Sequence, residues 1–472
     1  MKKIAFFIAS ISFLVFFGLF FFVQAVEAAT YYVATNGSDG SSCLVAQNIN
    51  TPKQTVVAGI SCLTSGDTLL IRGGTYVLSQ RIDGSTIPNG TLSAYTTIGP
   101  YQSETVILAR SSSPGEIINF CANSYIIVEG LKFNASNATQ SDGQAIWVGG
   151  DPENSCAGSD GLGSHHLVFR NFEMYGAGGD ISRSNGFIIQ RNTSDILFQN
   201  CSVHDLGWEE NTAGSYPIYN EGKRNIVERC HFYNLQSAAI KYGEATSDRR
   251  TDGGEIRYNL IHDFDILNQP GHYGTPAIRI STYAQNINIH NNIMYRNMWP
   301  GTDEASYIGL NNISGPINIF NNTIHNTNAR AYGIKQGNTI GGYTNGATIK
   351  NNIINMGPGL EPIFNKAPGE TAPDPISSNN LCDKIVAGCT IVASPLFINT
   401  SANDFHLQST SPAINAGATL TEVTTDFDGV ARPQGLTYDI GAYEYGGTPT
   451  PPPPAGGCDL NKDNSTNILD LQ

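Results

Sequence analysis

Three short segments place reactive side chains at one repeated position: Pro217-Ile218-Tyr219, Ala239-Ile240-Lys241 and Ala277-Ile278-Arg279. In each, an Ile suited to a core precedes a residue that an alternating strand turns outward. On neighbouring parallel strands, about 4.8 Å apart, a phenol, an amine and a guanidinium would stand side by side. Adjacent cations repel unless an anion or carboxylates sit near them. The chemistry this suits is β-elimination on a uronic-acid polymer. A base removes the proton next to a carboxylate, and a cation neutralises that carboxylate as charge builds. A Lys whose pKa is lowered by a nearby Arg can be that base. Lys241, Arg279 and Tyr219 are therefore the candidate catalytic residues. The competing expectation is a non-catalytic surface protein with a solvated or glycan-binding face, since Lys and Arg also guard exposed strands.

The surroundings add candidate substrate contacts. Glu221 and Glu244 fall at strand ends, and Trp208, His272 and Tyr273 fall on long loops beside the row. Aromatic and polar side chains of this kind can wall a groove for sugar rings. With Ile188, Ile218, Ile240, Ile278, Ile308 and Ile334 aligned as inward residues, the outward row reads Ile189, Tyr219, Lys241, Arg279, Gly309 and Lys335. Trp147 stands in an earlier coil, and Lys335 joins the candidate binding residues. His204, His262 and His325 recur near the ends of a third set of strands and are read mainly as turn chemistry. No motif defines the paired carboxylates of glycoside hydrolysis.

What positions this row is a repeat. Ile287-Asn288-Ile289-His290-Asn291-Asn292-Ile293 returns as Ile317 to Thr323 and as Ala347 to Ile353, so that the second Asn steps through 292, 322 and 352. Looser copies centre on Asn171, Asn200, Arg229 and Asn259. Each copy alternates apolar and polar residues, which marks a strand with one buried face. A short strand precedes each copy and another follows it. Three strands per turn of about thirty residues describe a coil that buries its apolar face only by stacking. The expected fold is all-β, a right-handed parallel β-helix over residues 29–390. The repeated Asn is expected to tolerate left-handed backbone and to bond its counterpart one coil away. Cys201 and Cys230 also stack, and are expected as buried apolar fillers rather than a disulfide. Cys43 with Cys62, Cys121 with Cys156 and Cys382 with Cys389 are plausible pairs.

Thr51 to Leu63 has helical apolar spacing and is expected to be a capping helix. Tyr31-Tyr32-Val33 and the stretch Gly66-Asp67-Thr68 to Gly73-Gly74-Thr75-Tyr76 follow in this region. On these motifs the chain resembles secreted polysaccharide lyases and related β-helix proteins, over residues 31 to about 355, and the resemblance implies the fold more than an activity. At Lys241 and Arg279 it is similar to the chondroitinase B and alginate lyase family, in which a Lys and an Arg stand on neighbouring coils. It departs from that family where acidic calcium ligands precede the Lys; Gln236, Ser237 and Ala238 stand here instead. Residues 391–446 contain Ser394-Pro395-Leu396-Phe397, Ser411-Pro412-Ala413-Ile414-Asn415-Ala416-Gly417, Arg432-Pro433 and Asp439-Ile440-Gly441-Ala442-Tyr443-Glu444. They resemble the C-terminal region of bacterial surface β-helix proteins, which implies export and a cap.

Lys2 and Lys3, an apolar run from Ile4 to Val23 and small residues up to Ala28 read as a signal peptide over 1–28, with no transmembrane segment after its cleavage. The net charge is −14 and no Lys/Arg-rich run follows residue 3, which argues against nucleic acid. A Pro-rich linker, 447–457, leads to Asp459, Asn461, Asp463, Asn467 and Asp470. These oxygens fall at positions 1, 3, 5, 9 and 12 of a calcium-binding loop. The segment 458–472 is similar to the first loop of a dockerin, which implies calcium and a cohesin-like or other surface-anchoring partner. A secreted or cell-surface monomer acting on polysaccharide is the expectation.

Overall fold

Alternating segments such as Ile-Asn-Ile can bury one face only against copies of themselves, and they do so in three parallel sheets. The computed structural model describes residues 28–111, 115–137, 144–149, 156, 162–177, 185–206, 216–243, 250–265, 274–299, 305–337, 339–340, 343–365 and 373–448. Sheets A and B have twelve strands each and sheet C has ten. Each coil visits C, then A, then B; Ile240–Tyr242, Gly254–Arg257 and Leu260–Phe264 make one coil. All pairings within these sheets are parallel, as in Lys241 against Arg279 and Asn288 against Asn318. The expected parallel β-helix is the fold.

Sheet C sends Phe187, Ile218, Ile240, Ile278, Ile308 and Ile334 into the core, each fully buried. Burial of each such side chain stabilises the coil by about 1.5–3 kcal/mol. The expected register slips by one residue at a single strand. Phe187, not Ile188, pairs with Ile218, so Ile188 faces outward and Ile189 is buried. Phe187, Ile188 and Ile189 are all apolar, so alternation could not choose between them. The pairing is held at the start of the strand, where the Asn185 side chain accepts from the Tyr216 backbone N–H at 2.8 Å.

The paired Asn residues divide the two roles expected of one. Asn291, Asn321 and Asn351 take the left-handed backbone, with φ of 53°, 50° and 58°. Asn292, Asn322 and Asn352, together with Asn259 and Asn380, form the buried ladder. The Oδ1 of Asn292, Asn322, Asn352 and Asn380 each accepts the backbone and side-chain N–H groups of the Asn one coil earlier, all at 3.0 Å. Earlier along the coil axis the same position is taken by Cys230, whose N–H donates to Asn259, and then by Cys201. These two cysteines form a disulfide, contrary to the expected apolar fillers. Stacking leaves their Cα atoms 4.4 Å apart, within reach of such a bond. Cys43–Cys62, Cys121–Cys156 and Cys382–Cys389 are bonded as anticipated.

At the N-terminal end the helix is shorter than its apolar spacing implied, Val56–Ile60, because Thr55 caps it through the Ala58 N–H and Lys53 bridges to Val33. Ala46, Val56 and Ile60 cover the first coil and join the main core.

Residues 394–446 lie along the flank of the β-helix, where an end cap was expected. Phe405, Leu407, Ala413, Ile440 and Ala442 pack on Ile293, Tyr295, Ile353 and Leu381 of successive coils. The left-handed Asn residues tie the segment down. Asn291 donates to Thr425 O, Asn321 to Asp439 O, Asn351 to Ala418 O and Asn379 to Ala416 O, at 2.8–3.0 Å. The motif residues quoted for this region stitch it internally. Arg432 and Glu444, both fully buried, pair at 2.7 Å, and Arg432 also reaches Asn291. Asp426 accepts the N–H groups of Asp428, Val430 and Glu444.

Candidate functional site

From Tyr219 onward the outward row of sheet C assembles as its sequence positions imply; before it Ile188, not Ile189, stands in the row. Tyr219 pairs with Lys241, Lys241 with Arg279, Arg279 with Gly309 and Gly309 with Lys335. Three unlike side chains thus stand on three consecutive coils, fixed by the buried Ile before each one.

Lys241 is only 4% exposed. Its Nζ lies over the Tyr219 ring, 4.4 Å from the centroid, and 5.2 Å from that of Tyr216. Aromatic faces attract a cation by about 0.5–2 kcal/mol, more where water is excluded. The Tyr216 hydroxyl accepts from Arg279 Nη1 at 3.1 Å. Tyr216 therefore reaches from its own coil past that of Lys241 to that of Arg279, and sets the spacing of the two cations. The Tyr219 hydroxyl donates to Glu221 at 2.9 Å, and Arg191 holds the other oxygen of that carboxylate at 3.3 Å. Glu221 thus orients the Tyr219 phenol.

Tyr216 and Arg191 were not singled out in the sequence. Tyr216 is 2% exposed and precedes a Pro at the strand entry, where no alternation marks a direction. Its role became legible only when the coils were stacked. Lys335 stands apart. Gly309 separates it from Arg279, and its Nζ lies 5.3 Å from the Tyr332 ring centroid. Trp208, Glu244, His272 and Tyr273 lie outside the described residues, as do Asp459, Asn461, Asp463, Asn467 and Asp470 of the calcium-type loop.

At the positions that depart from the family's calcium ligands, the Ser237 hydroxyl is 3.3 Å from that of Thr275, and Thr275 donates to the buried Asp265 through both its N–H and its hydroxyl. Among the described residues, no three His, Cys, Asp or Glu side chains converge in a way that could hold a metal ion.

No family model matches the chain. Pectate lyase PEL9 of Emericella nidulans is 36% identical over 91 residues, 19% of this chain and 21% of that protein. The match spans about a fifth of that relative's length. Among solved structures, pectate lyase Pel9A superposes with a TM-score of 0.57 at 15% identity, covering 88% of this chain and 96% of that one. A rhamnogalacturonan lyase gives 0.57 at 14% identity, covering 84% and 97%. XylC in complex with xylose gives 0.50 at 12% identity, covering 77% and 76%. The chain shares its parallel β-helix with these proteins, two of them polysaccharide lyases; at such identities the likeness is one of fold. No helix among the described residues is long and apolar enough to cross a membrane.

Proposed function

We propose that the protein is an exported polysaccharide lyase that cleaves a uronic-acid-containing polymer by β-elimination at the Lys241 row. The observation that carries this reading is the nearly buried Lys241, set beside Arg279 and against the rings of Tyr216 and Tyr219. A solubilising Lys would extend into water instead.

The roles follow from the geometry. An amine acts as base only when neutral, and a guanidinium on the next strand opposes a second positive charge. Lys241 takes the proton from the carbon next to the substrate carboxylate. Arg279, steered by Tyr216, faces that carboxylate and offsets the charge that builds on it. The electron pair closes the carbon–carbon double bond and expels the glycosidic oxygen, which takes a proton from the Tyr219 phenol or from water. Gly309 continues the floor beside Arg279 without a side chain because the Pro276 ring packs over it, 2.9 Å from where a Cβ would stand. Arg279 is the guanidinium that the row itself supplies for this charge. Calcium and an anchoring partner belong, on this reading, to residues 458–472, and export to residues 1–28.

The test is a screen of alginate, pectate, chondroitin and related polymers, followed by the ultraviolet absorbance of the unsaturated uronate. Turnover that disappears in Lys241→Met is the expected result. Polymer binding without any unsaturated product would overturn the lyase and leave a glycan-binding surface protein.

A further inference from the structure

Sheet B carries a second cluster that the proposed reaction does not use. His231 and His262 lie on the adjacent strands His231–Tyr233 and Leu260–Phe264, in which Tyr233 pairs with His262. This diagonal placement brings their Nε2 atoms to 2.7 Å. Tyr233 fixes both rings, 4.5 Å from His231 and stacked 5.7 Å from His262.

The second ring nitrogen of His262 is also held. Its Nδ1 is 2.8 Å from the Asp263 carboxylate, which Arg296 grips through two bonds of 2.6 Å. Arg296 also approaches Nδ1, but at 3.3 Å, so the shorter carboxylate contact decides the tautomer. The proton therefore sits on Nδ1, and His262 Nε2 accepts from His231 Nε2–H. A carboxylate behind an imidazole is the outer-shell arrangement that orients metal-binding histidines.

We propose that His231 and His262 form a two-imidazole site for one divalent transition ion of square-planar or tetragonal preference, Cu2+ or Ni2+. An ion that replaces the proton shared by the two Nε2 atoms leaves His231 protonated on Nδ1 and turns both Nε2 lone pairs to the metal. At metal–nitrogen lengths of about 2.0 Å, ligands at right angles stand about 2.8 Å apart, whereas tetrahedral ligands need about 3.3 Å. The observed 2.7 Å lies closer to the first, which selects against Zn2+. The other positions go to water, since no third His, Cys, Asp or Glu converges on the pair among the described residues.

The test uses the untagged full chain, titrated with Cu2+ against a competing chelator in excess Ca2+ that occupies carboxylate loops. The expected result is one bound Cu2+ with electron paramagnetic resonance coupling to two imidazole nitrogens. H231Q and H262Q should each weaken binding by at least about tenfold and leave one coupled nitrogen, and D263N should weaken it by about tenfold. H166Q, at the adjacent His165–His166 pair, should change nothing. Circular dichroism checks that each variant is folded. Binding that survives intact in both H231Q and H262Q, or no stoichiometric Cu2+ at all, would overturn the proposal.

Discussion

The Asn ladder and the Lys241 row are built on the same coils and follow opposite rules. Along the ladder one residue type repeats from coil to coil, and every amide is consumed by its neighbours. Along the row, Ile188, Tyr219, Lys241, Arg279 and Gly309 follow one another with no repetition. In a stacked fold, identical neighbours satisfy each other and leave nothing for a ligand. Unlike neighbours, held at the same spacing, make a surface with chemistry. Repetition thus marks what the coil needs, and its interruption marks what the coil carries.

The sharpest way to break this contrast is at Lys241. K241M should lower turnover by at least about a thousandfold, the scale of a lost general base. Its Tm should stay level or rise, because a nearly buried polar amine is exchanged for an apolar side chain of similar length. A Tm drop as large as that of a ladder variant would make Lys241 structural. R279Q should cost about a hundredfold in kcat, as for a lost charge-stabilising donor. Y216F should cost about tenfold, because Arg279 loses one hydrogen bond but keeps its coil. Steady-state kinetics on the active polymer separates the three.

The opposite pattern belongs to the ladder. N322A removes an amide bonded to Asn292, Ile289 O and Asn352. Leaving those buried groups unpaired should destabilise by about 1–3 kcal/mol, measured by denaturant unfolding. The kcat of the folded fraction should not change.

The smallest effect concerns pH on the flank. Asp428 and Asp404, 2.8 Å and 2.6 Å from its two ring nitrogens, raise His406 to about 9. A raised folded-state pKa contributes stability that is complete below the unfolded value, near 6.5, and is lost as pH rises through about 9. Tm should therefore fall slightly between pH 7 and 10, and H406Q should flatten that slope. His231 runs the other way. Held near 4 by burial, it withdraws stability as pH falls from about 6.5 to 4.

The fold was readable because Asn292, Asn322 and Asn352 repeat at a spacing that only stacked coils explain. Lys241, Arg279 and Tyr219 were readable because each follows an Ile whose direction is unambiguous. Where that marker failed, at Phe187-Ile188-Ile189, the register failed with it. Tyr216 was missed because its partners lie on later coils, and no local period encodes a contact across 63 residues. The Cys201–Cys230 bond was missed for a related reason. Sequence placed the two residues in a stack but could not say how near stacking brings them. The C-terminal motifs implied a cap, yet nothing in their order shows that Asn291, Asn321, Asn351 and Asn379 are their partners.

That flanking segment changes how the molecule should come apart. Stacked coils are otherwise nearest-neighbour systems, able to fray from an end one turn at a time. Here a late part of the chain runs across the stack like a splint, joined to Arg229, Tyr258 and the four asparagines that follow. Fraying the last coils first requires the splint to lift, and lifting it loosens every coil beneath. Coils 229–379 should therefore exchange their amide hydrogens as one cooperative block, while the coils before Cys201 open independently.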